Sequence, residues 1–168
     1  KALAAFTDSK PRIMVMKEMP TRRATHLLQR GRYDAAGETV EPAVPGILPP
    51  MPDGASRDRL GLARWLVSPE HPLTARVAVN RLWQIAFGQG IVPTSEDFGT
   101  QGVRPSHPQL LDHLALDFID SGWDVKRMLR RILTSHTWMQ SSGCSHSLLE
   151  QDPENRLLAR GPSVRMSA

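Results

Sequence analysis

Five prolines fall within eleven residues of this chain, at positions 42, 45, 49, 50 and 52. Proline fixes the backbone angle φ and has no N–H to donate, so this segment can form neither a helix nor a central strand. We therefore predict an extended strap on the protein surface. Its apolar residues need cover, and we expect the strap to lie across a helical body that buries them. These residues are Val44, Ile47, Leu48 and Met51.

The strap belongs to an N-terminal arm that we place at residues 1–55, within the same domain as the helices that follow. Residues 13–16 form a short apolar run between two prolines, long enough for one strand but too short for a helix. A second extended piece is predicted at residues 24–29, with a glycine-marked turn over residues 30–37. We therefore expect the arm to contribute a minor β element.

Residues 56–142 carry apolar side chains at helical spacing, which predicts a core of four helices. In the first helix Leu60, Ala63 and Val67 recur on one face, so we expect that face to be buried. The second helix ends at Gly88, since glycine is the usual C-terminal stop. Its predicted buried stripe is Ala75, Val79, Leu82, Trp83, Ala86 and Phe87.

The third and fourth helices have recognisable ends. Ser106 and Gln109 have the spacing of a capping box, and Gly122 is the expected stop of the third helix. Asp124 is the predicted N-cap of the fourth. The pattern predicts a mainly α fold: a four-helix core wrapped by a Pro-rich extended N-terminal arm with a minor β element. Residues 143–168 are interpreted as a C-terminal loop and the start of a further segment of a longer chain.

The net charge of +4 and the pI of about 9.8 are compatible with a nucleic-acid ligand. Phosphate-binding surfaces, however, need clustered positive charge beside aromatic rings or a known reading motif. The arginines here are scattered, and their longest runs are the pairs at 22–23 and 130–131. We therefore expect no nucleic-acid partner. We also expect no membrane span, because no apolar run approaches the roughly 20 residues that a span needs.

Cys144 is the single cysteine, so the chain can form no internal disulfide and has no C-x-x-C-H motif for a c-type haem. Cys144 and His146 together fall short of the three or four ligands of a zinc site. We therefore expect neither a cofactor nor a metal in this chain.

The segment between the second and third helices, residues 89–105, is the best candidate for a site. Loops longer than roughly 12–15 residues are uncommon and are often functional. Glu96 and Asp97 are a conceivable acid and base pair, but adjacent residues on an extended loop point apart, whereas a glycosidase needs facing carboxylates. We therefore interpret Asp97 as a turn-forming residue.

The second helix, which precedes this loop in sequence, carries three polar side chains and an aromatic ring at Arg76, Asn80, Arg81 and Trp83. Arg76 and Asn80 are four residues apart and share a helix face. The favoured interpretation is an internal network in which Arg76 or Arg81 pairs with a loop carboxylate and fastens the loop. The alternative is a groove in which Trp rings and carboxylates hold a sugar or a partner protein.

His107 stands at the start of the third helix, where we expect its imidazole to bond a loop carbonyl. A triad of Ser106, His113 and Asp117 can be drawn, but the chain lacks the nucleophile elbow and oxyanion donors that such a site requires. We therefore assign no catalytic residue.

Three segments resemble a C-terminal planctomycete-specific domain of unknown function: ARWLVSPEHPLTARVAVNRLWQIAFGQGIV, SEDFGTQGVRPSHPQLLDHLA and DSGWDVKRMLRRIL. The arm and the motif DPENRLLARGP are similar to the same family, so the resemblance covers nearly the whole chain. The chain departs from the family pattern at Trp138, where Tyr is usual, and at residues 163–164. The resemblance implies an exported, periplasmic or cell-surface parent protein whose cytochrome-c-like domain carries haem far upstream. It transfers no catalytic residue to this chain.

On this basis the favoured function is a non-catalytic interaction or assembly module at the C-terminus of an exported haem protein. Its partners would be other domains of the parent or cell-surface proteins, with polysaccharide as a further candidate. The alternative is a carbohydrate-active or hydrolytic domain that uses the 89–105 loop. An assembly module predicts an exposed apolar patch, whereas an enzyme predicts a concave pocket with converging carboxylates or histidines.

Overall fold

A computed structural model describes residues 13–163 of the chain. The predicted fold class is confirmed, since this part of the chain is mainly helical and has one small two-stranded sheet. The helices are α1 (Arg59–Leu66), α2 (Thr74–Phe87), α3 (Pro108–Asp120), α4 (Val125–Leu133), α5 (His136–Met139) and α6 (His146–Gln151), and the strands are β1 (Thr25–Leu28) and β2 (Ala36–Val40).

The arm forms a β-hairpin in which β1 and β2 pair antiparallel, with Thr25 opposite Val40 and Leu28 opposite Ala36. The extended piece predicted at residues 24–29 is confirmed. The strand predicted at residues 13–16 is wrong, because these residues form no strand and Met14 is fully exposed. A strand needs a partner edge, and β1 takes its partner from β2, which sequence reasoning did not predict.

The strap after β2 contains neither helix nor strand over residues 41–58, as the prolines predict. It is fastened to α1 by the indole N–H of Trp65, which donates to the carbonyl of Pro49 at 2.8 Å. Leu48 is half-buried, as are Val44 and Met51. Ile47 was expected to be covered, but it lies in a turn and is 94% exposed.

α1 buries a different face from the predicted one. The carboxylate of its N-cap, Asp58, accepts a hydrogen bond from the N–H of Gly61 at 2.8 Å. Gly61 and Trp65 are the buried residues of this helix, while Leu60 is 55% exposed. The reason is steric: a side chain at Gly61 would collide with the carbonyl of Ser56, so only glycine lets the strap approach the helix here.

The core lies between α2, α3 and α4. The predicted α2 stripe is confirmed, and Gly88 ends the helix with φ +82°. The rings of Trp83 and Phe87, one turn apart, stack with centroids 4.1 Å apart. The buried cluster consists of Val79, Trp83, Ala86, Phe87, Ile91, Val92, Leu111, Leu114, Phe118, Met128 and Ile132.

The junction of α3 and α4 follows the predicted end signals. The N–H of Gly122 donates to the carbonyl of Ile119 at 2.9 Å, and that of Trp123 to the carbonyl of Phe118 at 2.9 Å. This is a Schellman motif, and it requires the left-handed φ of +71° that glycine supplies. Asp124 caps α4 by accepting from the N–H of Arg127 at 2.9 Å, as predicted.

The start of α3 differs from its prediction. The N-cap is His107 and makes no side-chain capping bond, so the capping box of Ser106 and Gln109 is wrong. Ser106 instead donates its N–H to the carbonyl of Ile91 at 2.9 Å. Its hydroxyl donates to the same carbonyl at 3.3 Å, so the side chain is bonded to the loop instead of capping the helix.

The segment after α4 folds back onto the core. The indole N–H of Trp138 donates to the carbonyl of Ala86 at 3.1 Å, and the amide of Gln140 donates to the carbonyl of Leu158 at 2.8 Å. Leu158 packs against the core cluster. Residues 138–158 thus cover the C-terminal end of α2.

Candidate functional site

The 89–105 loop is held against α2 by Asn80, whose side chain is fully buried. Its amide NH2 donates to the carbonyl of Val92 at 3.0 Å and to the hydroxyl of Ser95 at 3.1 Å, and its amide oxygen accepts from the N–H of Val92 at 2.8 Å. A polar residue of the second helix therefore does fasten the loop, as the internal-network interpretation predicts.

The network continues from Ser95, whose hydroxyl donates to the side-chain oxygen of Gln84 at 2.8 Å. Gly90 packs directly on it, since an added Cβ there would lie 2.6 Å from the amide nitrogen of Asn80 and 2.6 Å from the carbonyl oxygen of Val92. Every polar atom of the Asn80 amide is thus engaged with the loop, which leaves no room for a ligand at this point.

The loop is a series of hydrogen-bonded turns. The carboxylate of Asp97 accepts from the N–H of Gly99 at 2.7 Å, which confirms its interpretation as a turn former. The hydroxyl of Thr94 donates to the carbonyl of Asp97 at 2.8 Å and accepts from the N–H of Val103 at 3.0 Å. Glu96 is exposed and makes no hydrogen bond to another residue of 13–163. The two carboxylates therefore do not converge.

Arg76 does not pair with the loop, so that part of the predicted network is wrong. Its guanidinium binds the carboxylate of Asp112 on α3 at 2.7 Å and also donates to the carbonyl of Pro72. Arg76 lies in the first turn of α2, whereas the loop crosses this helix later, at Asn80. Arg81 is exposed and forms no ion pair or hydrogen bond with the part of the chain that the structure describes.

Trp83 and His107 also have structural rather than ligand-binding roles. Trp83 is 6% exposed, so its ring belongs to the core rather than to a binding surface. The imidazole Nδ1 of His107 lies 3.0 Å from the hydroxyl of Ser106. The bond to a loop carbonyl that His107 was expected to make is made by its neighbour instead, because Ser106 faces Ile91.

The Ser–His–Asp triad does not assemble. His113 and Asp117 are joined through Arg131 of α4, which contacts the imidazole Nε2 at 2.8 Å and the carboxylate at 2.6 Å. Ser106 is engaged with the loop instead. Within residues 13–163, no three His, Cys, Asp or Glu side chains are grouped so as to hold a metal ion.

Sequence reasoning missed His71, which is buried beside Trp65 with ring centroids 4.5 Å apart. Its Nδ1 accepts from the N–H of Thr74 at 3.2 Å and lies 2.9 Å from the Thr74 hydroxyl. His71 thus satisfies the first free N–H of α2, a capping role. Its position just before the helix was the available signal.

The loop borders a mostly apolar groove of about 250 Å³, which lies between the loop and the N-terminal ends of α2 and α3. The Arg76–Asp112 ion pair stands at its edge, and Arg104 is exposed on the loop side. Its apolar lining comprises Leu73, Val92, Phe98, Val103, Pro105, Pro108 and Leu111.

A second depression of about 370 Å³ adjoins the groove, and Leu73 lines both. It runs along α2 and reaches the edge of the core, because its lining residue Ala78 packs against the core cluster. We define the outer face of α2 as Leu73, Thr74, Val77 and Arg81, with Ile85 one turn further on. The sequence carried a signal for it, since Val77, Arg81 and Ile85 recur every four residues.

The described part of the chain is therefore a mainly helical body with a β-hairpin arm, an internally bonded loop and an apolar surface. Residues 58–168 match the family described as "Protein of unknown function (DUF1553)", and the chain belongs to this family. The match includes the groove and the outer face of α2, whereas the hairpin and the strap precede it. Neither a curated protein nor a solved structure matches the chain. None of the helices within residues 13–163 has the length and apolar character needed to cross a membrane.

Proposed function

We propose that this chain is a non-catalytic interaction module, which docks onto another protein or another part of its parent protein. The observation that carries this proposal is the outer face of α2. α2 buries one side in the core, yet the opposite side carries the exposed Ile85 and the half-buried Val77, which are also apolar. A surface helix normally carries polar residues on the side opposite the core, so an exposed apolar residue on that side favours a covering partner.

The exposure of this face supports the same conclusion. Ile85 is 62% exposed and Leu73 is 36% exposed. Leu60 and Leu66 of α1 are exposed as well. Apolar surface that is contiguous and exposed marks interaction sites more often than single scattered residues do.

The arrangement of polar groups favours this proposal over a hydrolytic function. An acid and base pair needs two titratable groups that face one reacting bond. The carboxylate of Asp97 accepts a hydrogen bond within a turn, and that of Asp112 forms an ion pair with Arg76. No specific observation favours the carbohydrate-active alternative.

The wider setting of the module is proposed from the family resemblance. We place it at the C-terminus of an exported planctomycete protein that carries a cytochrome-c-like domain upstream. The module would then work in the periplasm or at the cell surface, with other domains of the parent or surface proteins as partners.

Site-directed labelling tests the proposal. Cys144 is replaced by serine, and Ile85→Cys is introduced as the reporter. A maleimide is expected to react rapidly with the isolated chain and about tenfold more slowly with the parent protein in its native assembly, since a docked partner excludes the reagent. Leu116→Cys is the matched control, because Leu116 is 60% exposed on α3. Equal reaction rates for Ile85→Cys in both samples would refute the interaction module.

A further inference from the structure

His71 carries a buried polar atom that its surroundings leave without a partner. The residue is 7% exposed, and its imidazole Nε2 forms no hydrogen bond with any other residue of 13–163. Buried polar groups in proteins are nearly always hydrogen-bonded, either to the protein itself or to ordered water. Nε2 of His71 therefore needs a partner that this part of the chain does not supply.

The other ring nitrogen fixes the protonation of the imidazole. Nδ1 accepts the backbone N–H of Leu73 at 3.3 Å and that of Thr74 at 3.2 Å. A ring nitrogen that accepts N–H groups carries no proton of its own, so the single proton of the neutral imidazole is on Nε2. Nε2 is thus a hydrogen-bond donor, and the partner it needs is an acceptor.

His71 lines a small cavity between the strap and the junction of α1 and α2. Three prolines of the strap, Pro49, Pro50 and Pro52, line the cavity from one side, and Trp65 of α1 lines it from the other. The cavity leaves about 20 Å³ for the centre of a water-sized molecule. One water molecule needs roughly 10–15 Å³ by this measure, so the cavity has room for one.

The groups around the cavity determine the chemistry of its ligand. A proline has a carbonyl oxygen but no N–H, so the backbone of these strap residues offers acceptors alone. The carbonyl of Pro49 accepts the indole N–H of Trp65 at 2.8 Å, and its second lone pair can accept another hydrogen bond. A cation would be repelled by the Nε2–H of His71, and an anion by the carbonyl oxygens. Water meets both requirements, because it accepts from a donor and donates to an acceptor.

We infer that this cavity binds one ordered water molecule, which accepts a hydrogen bond from Nε2 of His71 and donates one to the strap carbonyl of Pro49. Trp65 ties the strap to α1 directly, and the water ties it to the start of α2. A hydrogen bond through an ordered water is nearly as favourable as a direct one. The water is therefore a second fastening of the strap on the helical body.

Nuclear magnetic resonance of the whole chain, with isotopically labelled histidine, tests for this water. The spectrum is expected to show His71 protonated at Nε2 alone. In a rotating-frame Overhauser experiment, the Nε2 proton is expected to give a cross-peak to water with a sign opposite to the diagonal, which reports a bound water rather than proton exchange. An Nε2 proton that gives no such cross-peak, or that exchanges too fast to be observed, would overturn the inference. An upfield shift of that proton would then show that it points at the Trp65 ring instead.

Two substitutions test whether the water fastens the strap. His71→Asn keeps an oxygen that can cap α2, since Asn is a favoured N-cap residue, but it removes the ring. His71→Phe keeps a ring against Trp65 but removes the cap. Both variants lose Nε2, so the strap is expected to open more often in both. The indole N–H of Trp65, which donates to Pro49, is then expected to exchange with deuterium about tenfold faster than in wild type.

His107→Asn is the matched control, because His107 also stands at the start of a helix but does not line this cavity. It is expected to leave the exchange of the Trp65 indole unchanged, and circular dichroism verifies that each variant is folded. Faster exchange in His71→Asn alone would show that ring packing holds the strap, and faster exchange in His71→Phe alone would show that the cap does. Either result, or unchanged exchange in both variants, would overturn the water as a fastening of the strap.

Discussion

Asn80 joins α2 to the loop, and its replacement by alanine tests whether this network holds the domain together. The side chain is fully buried and makes three hydrogen bonds, two of them to the backbone of Val92. Val92 is 2% exposed, so water cannot readily replace the lost partner. Ser95 is less affected, because its hydroxyl retains the bond to Gln84.

The expected magnitude follows from the groups left without partners. Asn80→Ala leaves the N–H and the carbonyl of Val92 buried and unbonded. Each unsatisfied buried group costs about 1–3 kcal/mol, so the loss of both partners is expected to lower the free energy of unfolding by about 2–6 kcal/mol. This is a large share of the roughly 5–15 kcal/mol that stabilises a typical domain. The melting temperature is expected to fall by about 4–24 °C, at about 2–4 °C per kcal/mol for a chain of this length.

Urea unfolding followed by tryptophan fluorescence measures this loss. Gln101→Ala is the matched control, because Gln101 is exposed in the same loop. It is expected to change the free energy of unfolding by less than about 0.5 kcal/mol. A loss below about 1 kcal/mol for Asn80→Ala would refute the reasoning, since it would mean that the Val92 backbone finds other partners.

Two further substitutions probe other parts of the fold. Gly90→Ala places a methyl group 2.6 Å from the amide of Asn80, and we expect about 1–3 kcal/mol of destabilisation in urea unfolding. Gly46→Ala is the neutral control, because a methyl group there meets no atom within 4 Å. Equal stability of the two variants would contradict the steric argument. The pKa of Asp58 is lowered, mainly by the hydrogen bond from the backbone N–H of Gly61 and to a smaller extent by that from the hydroxyl of Ser56. Its folded-state pKa is below the unfolded one, so its contribution to stability is complete above about pH 4 and is lost as the pH falls through the folded pKa. Wild type and Asp58→Ala are therefore expected to differ in melting temperature at pH 7 and to converge in acid; a constant difference across this range would show that the cap acts without its charge.

Local signals, in which a residue acts on its own neighbours, were reliable at several helix ends, although the capping box predicted for Ser106 and Gln109 was not. The Schellman motif at Gly122 and the cap at Asp124 were predicted because their bonds close within a few residues. Asp97 likewise forms a turn within two residues of itself. Such bonds depend on residue type and spacing, which the sequence displays directly.

Predictions failed where the partner comes from a distant part of the chain. The apolar side chains of α1 suggested the wrong buried face, because the strap approaches through the gap left by Gly61. Arg76 was expected to bind the adjacent loop, yet Asp112 reaches it from α3. Several carboxylates lie near an arginine in sequence or in space, and the packing of the helices decides which of them the guanidinium binds.

The loop and α2 show this division most clearly. Composition and spacing alone established the proline strap, the glycine ends of α2 and α3, the cap of α4 and the buried stripe of α2, since these follow from dihedral restrictions and helical periodicity. Tertiary structure alone decided that the Asn80 amide is used up by Val92 and Ser95. It also decided that Arg81 and Ile85, on the other side of α2, stay exposed. Which apolar face is buried depends on what the rest of the chain places against it, and periodicity carries no information on that.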